Sequence, residues 1–483
     1  MFLQILGFQP DIMGPMEFRA HGNGARTLTL VDGQLVGQQK QEASGLSCRA
    51  LTPNGLYGFA AHPEMSRKGA DFVMAEAEKN LKVLQGQRQG QSQGQSQGQS
   101  QGRNSKTASA SSNKDLSFTV GSAQGLSAEM GRKSPWSDKT LIDHLRELDT
   151  CMLELGPELK SRRLMFREQS FNKEIWTGLG GHCSFSYTRC HLYYFLTMES
   201  EQGPVEVMAA IGGRGFAEDV LPSKEAFKES LETSFAHLKQ KAKGVYPRAG
   251  QHTVILASKL AGILAHEAIG HTTEADLVRA GSVAADVLGE QVASPLVTLV
   301  DFAHSYQGEL CPVPVFHDDE CTQAQDTVII QEGLLKGYMN SRETAAEFDQ
   351  PATGHSRAWG FSDEPLIRMR NTAILPGASS LEEMIASVDD GYFLMDHSNG
   401  QADSTSEFMF GVTLGYEIKK GQLGRALLDT TISGVAFDML KTVSMVSDEM
   451  TWVDSGTCGK KQPMYVGMGG PAIKCQLTVG GRS

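Results

Sequence analysis

A chain of 483 residues is longer than one typical domain and points to two or three. With 40% hydrophobic and 21% charged residues its composition is that of an ordinary globular protein. The net charge of −12, with no large Lys/Arg cluster, argues against nucleic acid as a partner, and no apolar run approaches the roughly 18 residues of a membrane-spanning helix. The opening MFLQILGF is apolar but has neither a basic start nor a small-residue cleavage site, so it does not read as a signal peptide. Eight cysteines (48, 151, 183, 190, 311, 321, 458 and 475) stand without C-x-x-C pairs, which predicts reduced thiols in a cytoplasmic protein.

In chain order, ARTLTLVDGQLVGQQKQEASGLSCRALTPNGLYGFAAHP holds short β-like runs separated by Asp-Gly and Asn-Gly turn signals. ADFVMAEAEKNLKVL spaces its apolar residues as one amphipathic helix. Residues 85–114 are a Gln/Gly/Ser repeat with almost no apolar side chain. Such a segment buries too little surface to offset its ordering entropy, and a disordered insertion is expected. After it, KTLIDHLRELDTCMLELG predicts a helix and CSFSYTRCHLYYFLTMESEQGPVEVMAAIGG a set of strands around a turn. The amino-terminal region therefore reads as an α/β unit in two parts, 1–84 and 115–244, divided by the insertion. It carries no nucleotide-binding glycine fingerprint.

From residue 245 to 483 the texture changes. HTVILAS predicts a strand, and KLAGILAHEAIGH a helix with one buried face. TVIIQEGLLKGYMN predicts a hairpin turning at Glu332-Gly333. EFMFGVTLGYEI alternates strictly, with Phe408, Phe410, Val412, Leu414, Tyr416 and Ile418 on one face. FDMLKTVSMVSDEM predicts a last helix before a glycine-rich tail. The fold class expected is α+β, with a β-rich carboxy-terminal half built as a mostly antiparallel sheet around a buried helix.

That helix contains LAHEAIGHTTEAD, where His266 and His271 are five residues apart rather than the four of H-E-x-x-H. On an ideal helix positions five apart differ by about 140° and cannot face one metal. A π-bulge would bring them back to one face; a break at Gly270 would do the same by freeing His271 from the helix. Glu274 and Asp276 could orient an imidazole, or lie solvated at a helix end. His304, His317 and His355 are candidates for stabilising an oxyanion.

Six segments carry a wider resemblance: HEAIGHTTEAD, VDFAHSYQGEL, LLKGYMNSRETA, IRMRNTAILPG, GQADSTSEFMF and GTCGKKQPMYVGMGGP. Their order and spacing resemble the TldD branch of the TldD/PmbA family of metallopeptidases, densely from about residue 245 and more loosely before it. The resemblance implies an α/β amino-terminal region and a β-rich metallopeptidase domain. It implies that His266, His271 and Cys458 are ligands of a metal, expected to be one zinc per subunit, and that Glu267 is the catalytic base. Two imidazoles and a thiolate leave a fourth position for water, the pattern of catalytic zinc. Short or unfolded peptides are the implied substrates, and a dimer the implied assembly, either with a metal-free paralogous subunit or with a second copy. Two other functions stand beside this one. A metal-free type of peptide-binding or assembly subunit is disfavoured by the intact His266, Glu267, His271 and Cys458. A regulator of DNA gyrase gains no support from the acidic charge. The family pattern after the cysteine is C-G-K-x-G-Q, whereas this chain reads Cys458-Gly459-Lys460-Lys461-Gln462, short by one glycine.

Overall fold

The computed structural model describes residues 6–53, 55–94, 124–130, 135–402 and 405–481. Two long strands, β1 (Met16–Val31) and β2 (Gln34–Leu51), turn at Asp32-Gly33. Both turn residues have positive φ, 47° and 79°, as the tight hairpin turn requires. With β3 (Tyr57–His62), β4 (Gln124–Met130), β5 (Ser161–Thr177), β6 (His182–Ser200) and β7 (Gly203–Arg214) they form a seven-stranded sheet in the order β3-β2-β1-β5-β6-β4, with β7 also on β6.

Helices cover this sheet in two places. α1 (Arg67–Gly94) sets Ala70, Val73 and Ala77 against Phe18, Leu46 and Trp176. It extends to Gly94, into the segment expected to be disordered from residue 85. Glutamine is a competent helix former, and lengthening an existing helix costs far less than nucleating one. The rest of the expected insertion, 95–114, lies outside the described residues. α2 (Asp138–Leu155) is capped by Ser137, whose hydroxyl accepts from Thr140 N, and buries Leu141, Leu145, Leu148 and Met152 at helical spacing. It shares a core with Phe227, Leu231 and Phe235 of α3 (Lys224–Lys241) and with Phe166, Leu192 and Tyr194 of the sheet.

In the carboxy-terminal half five strands close into a ring. β8 (Gly250–Leu256) leads through α4 (Ser258–Leu264) to an arm of β9 (Leu299–Phe302), β10 (Thr327–Gln331), β11 (Leu334–Leu335) and β12 (Asn371–Ile374). β13 (Asp390–Ala402), β14 (Glu407–Lys419) and β15 (Thr430–Val435) follow, then α5 (Ala436–Lys441), β16 (Met445–Val453), β17 (Thr457–Cys458), β18 (Met464–Tyr465) and β19 (Gly467–Val479). β8 pairs with β13, β13 with β14, β14 with β15, β15 with β19, and β19 with β8 again. The arm joins β19 through β12. Pairing is mostly antiparallel, with β8–β13 and β12–β19 parallel.

Several expectations hold here. Phe408, Phe410, Val412, Leu414, Tyr416 and Ile418 are all buried. Glu332 and Gly333 turn the β10–β11 hairpin with φ of 48° and 83°. Two expectations need correction. The last helix ends at Lys441, and Met445–Val453 is a strand against β19. Thr442 stops the helix: its hydroxyl donates to Met439 O and accepts from Gln476 N of β19, handing the chain to the sheet. The helix after β8 is also buried on nearly every side rather than one, with Leu260, Ala261, Ile263, Leu264, Ala265, Ala268 and Ile269 all in the core. Gly262 allows this, because a Cβ there would lie 2.9 Å from the Gly469 carbonyl carbon of β19. The eight cysteines are buried and none is bridged. Among the described residues no helix is long and apolar enough to cross a membrane.

Candidate metal centre

The spacing of the two histidines is resolved by a π-helical turn over Ala265–Gly270. The His271 N–H donates to His266 O, five residues back, so the extra residue is taken up inside the helix. The alternative, a break at Gly270, is not what occurs: its φ and ψ of −54° and −50° are helical. Glycine is needed there for space instead, since a Cβ would run into the Met369 sulfur. The two rings stand 5.2 Å apart between centroids, at 77° to one another.

Cys458, on β17, completes the group. Its Sγ lies 3.2 Å from His271 Nε2, and one donor atom from each of His266, His271 and Cys458 falls within 4.8 Å of the others. His266 is fully buried, and apart from the Cys458 thiol that it faces, its ring nitrogens find no hydrogen-bond partner among the described residues. A buried imidazole short of partners is costly, and a soft N/S donor set around one point is what a zinc-type ion needs. The residues present therefore fit a metal. Burial alone would raise the Cys458 thiol, but the adjoining imidazoles of His266 and His271 bring its pKa down to about 4. Burial likewise opposes the charged form of His271, yet Glu274 and Cys458 together hold its pKa well above the ordinary value.

Glu274 is fully buried, which rules out the solvated helix end. Its Oε2 lies 2.7 Å from His271 Nδ1, leaving Nε2 to face the cysteine. Lys460 Nζ sits 3.2 Å from the same carboxylate and also donates to Asp276 Oδ1 and Ile367 O, both at 2.9 Å. Asp276 thus meets a lysine rather than an imidazole. Burial disfavours the Glu274 carboxylate, but His271 and Lys460 outweigh it and lower its pKa. Glu267 differs from its neighbours: its side chain is 25% exposed, and its Oε2 stands 3.7 Å from His271 Nε2, close to the cluster but not bonded into it.

The loop that carries Cys458 is held by a residue that spacing alone does not reveal. Arg368, fully buried, donates to the backbone carbonyls of Cys458 (3.0 Å), Lys460 (3.0 Å) and Gln462 (2.5 Å). Where the family pattern has an additional glycine, Lys461 takes a left-handed conformation, φ 54°, and Gln462 N bonds back to Lys460 O. Two residues on, Arg370 anchors the same segment to Asp301, which accepts from Arg370 N and Nε, His355 Nε2 and Thr372 Oγ1. The sequence signal is the pair of arginines in IRMRN, alternating within an otherwise apolar segment, since a buried guanidinium demands several acceptors.

The three other histidines stand elsewhere. His355 has both ring nitrogens occupied, by Asp301 at 3.0 Å and Thr353 at 2.7 Å, and is not available to an oxyanion. His304 stacks on Phe316. His317 borders a cavity lined also by Tyr187 and Trp359. Among the described residues the only group of three or more potential ligands is His266, His271 and Cys458.

Comparison with known proteins gives a consistent picture. Residues 249–481 match the model of the PmbA/TldA metallopeptidase C-terminal domain. A metalloprotease of Methanocaldococcus jannaschii is 30% identical over 477 residues, covering 96% of each chain. A zinc metalloprotease TldD homolog of Saccharolobus solfataricus is 29% identical over 358 residues, 73% of this chain and 79% of that one. In fold, the chain is similar to TldE from Thermococcus kodakarensis, with a TM-score of 0.71 at 15% identity over 97% of both chains. It is also similar to a Thermotoga maritima protein described as a modulator of a DNA gyrase, with a TM-score of 0.69 at 18% identity over 96% of both.

Proposed function

The chain belongs to the PmbA/TldD family of metallopeptidases, and on that premise we propose that it is a zinc-dependent peptidase of short or unfolded peptides. His266, His271 and Cys458 hold one zinc per subunit, and Glu267 is the general base. The observation that carries this reading is His266, a fully buried imidazole with no partner beyond the other two members of the cluster, a second imidazole and a low-pKa thiol. Bound there, zinc would supply Lewis acidity to the scissile carbonyl and acidify the attacking water. Glu267, adjacent in sequence to one ligand and 3.7 Å from another, takes the water's proton and passes it to the departing amine. Glu274 fixes His271 with Nε2 towards the metal, and Lys460 balances the charge of that carboxylate. The likeness to TldE supports a subunit pair with a metal-free paralogue, which would enclose the site and favour extended peptides over folded domains.

Elemental analysis of protein never exposed to chelator should find about one zinc per chain. Glu267→Gln should retain that zinc and still bind peptide while losing at least about a hundredfold in turnover, because only proton transfer is removed. Protein with no stoichiometric transition metal would sink the peptidase reading, and undiminished turnover in Glu267→Gln would remove its base.

A further inference from the structure

A cavity lies between the amino-terminal sheet and the carboxy-terminal half, and nothing described so far uses it. One wall is a face of the β5–β6 hairpin, where three cross-strand pairs point inward: Phe171 with Tyr187, Lys173 with Phe185 and Ile175 with Cys183. The facing wall brings Val313, Val315 and Trp359, and the third side is Met464 and Tyr465 of β18. The charged groups bordering it are already engaged. Lys173 Nζ donates to Ala358 O at 2.7 Å and pairs with Asp319 at 2.9 Å, while Arg357 donates to Met369 O and Tyr465 O. What faces the space is therefore mainly apolar and aromatic. Phe171 meets Trp359 and Tyr465 edge-on, at 67° and 76°, so the space is lined by interlocked aromatic rings, the geometry in which a further ring packs well.

The cavity is built from the same pieces as the metal centre. Met464 pairs directly with Cys458, so one strand spacing of about 5 Å separates that wall from the ligand backbone. Trp359 N bonds to Gln462 of the ligand loop. Arg357 holds the carbonyl of Met369, whose sulfur packs on Gly270 between the two histidines. An extended peptide repeats its side chains on one face every two residues, and the shared strand pair and loop make this cavity the neighbouring apolar space for one of them. We propose that the cavity is a side-chain subsite of the peptidase, taking one large apolar residue of the substrate, aromatic before aliphatic. The proposal rests on the peptidase reading above.

The test uses two blocked peptides identical except for one position, phenylalanine or alanine, scanned along the chain around the cleaved bond. The protein is assayed alone and together with its metal-free paralogue from the same cells. At one position the phenylalanine peptide should be preferred by roughly ten- to a hundredfold in kcat/KM, the value of burying one such side chain. In Phe185→Ala, and separately in Trp359→Leu, that ratio should fall to within about threefold. Both side chains are half-buried, and a ratio of rates is unaffected by the fraction of protein that folds. Cleavage with no preference at any position, or a preference that both variants retain, overturns the subsite and leaves the peptidase standing. Cleavage of no peptide in either assembly overturns both.

Discussion

Arg368 makes its hydrogen bonds behind the metal centre to three backbone carbonyls, at Cys458, Lys460 and Gln462. Lysine at this position can satisfy one or two of those carbonyls but cannot span all three, because it lacks the planar fork. Arg368→Lys is therefore expected to weaken zinc binding by roughly 10- to 100-fold, as loss of a supporting contact behind a ligand does. Competition with a chromogenic chelator measures this directly, and an unchanged affinity in a folded variant would show that the loop positions Cys458 by itself. His355 gives a second prediction at this scale. Burial, with the Arg370 charge, lowers its pKa from 6.5 to about 4. The folded state thus binds the proton later than the unfolded chain, so stability is full above pH 6.5 and is lost as pH falls towards 4. The gap is worth at most about 3 kcal/mol. Chelator-treated His355→Asn should be less stable than the parent at pH 7 but should show a shallower fall between pH 6.5 and 4 in denaturant titrations; an equally steep fall would assign the acid sensitivity to other groups. Of these residues, His266 and His271 stood out by their near miss of the H-E-x-x-H spacing, while the base role of Glu267 was read from the family resemblance. Cys458 emerged only through the family resemblance, because a lone cysteine is usually a small buried hydrophobe. For Arg368 the IRMRN alternation signals a buried guanidinium, but its partners are carbonyls, which every residue has, so the loop that it holds was not legible.

Among the elements, the π-turn is the one on which the site depends. Spacing showed that an ideal helix could not bring His266 and His271 together, but it left a bulge and a break equally open. What separates them is a contact distant in sequence: Met369 lies on Gly270 and leaves no room for a Cβ, while the helical φ and ψ of Gly270 keep the chain wound. Gly270→Ala should cost about 1–3 kcal/mol through overpacking and displace His271, with loss of bound zinc. Adding Met369→Ala should restore zinc though not stability, since it empties the space the new methyl group needs but leaves a cavity beside it. Failure of the double variant to regain zinc would mean that the glycine serves the turn itself. The strands show a similar division. β14 was readable because one of its faces is buried and the other is not. β16 was read as helix because FDMLKTVSMVSDEM has helical spacing at its start, and the pull of β19 beyond Thr442 has no local signature.

At the scale of the molecule, charge joins the two halves. Arg49 of β2 bonds to Glu17 at 2.5 Å and to Glu320 at 2.6 Å, and Arg342 closes on the same two carboxylates. Beside them Lys173 and Arg19 share Asp319. All of these groups are buried or nearly so, and they join residues separated by up to about three hundred positions in the chain. In the sequence each looks like an ordinary surface charge, which is why this interface was not legible there and residues 1–244 and 245–483 read as separable units. A buried pair is weak evidence of net stability, but removing one partner is costly, because the other charge stays behind without compensation. Glu320 serves Arg49 and also accepts from Arg342 N, so Glu320→Gln should destabilise the chain by about 3–5 kcal/mol. Since both guanidinium groups reach across the interface, the loss should be felt in both halves at once. Scanning calorimetry of the metal-loaded protein should then show one transition in the parent and one, shifted down, in the variant. Two transitions of which only one moves would mean that the halves fold independently and that the network is a contact between finished domains. In that case the cavity between Tyr187 and Trp359 would open and close with their docking.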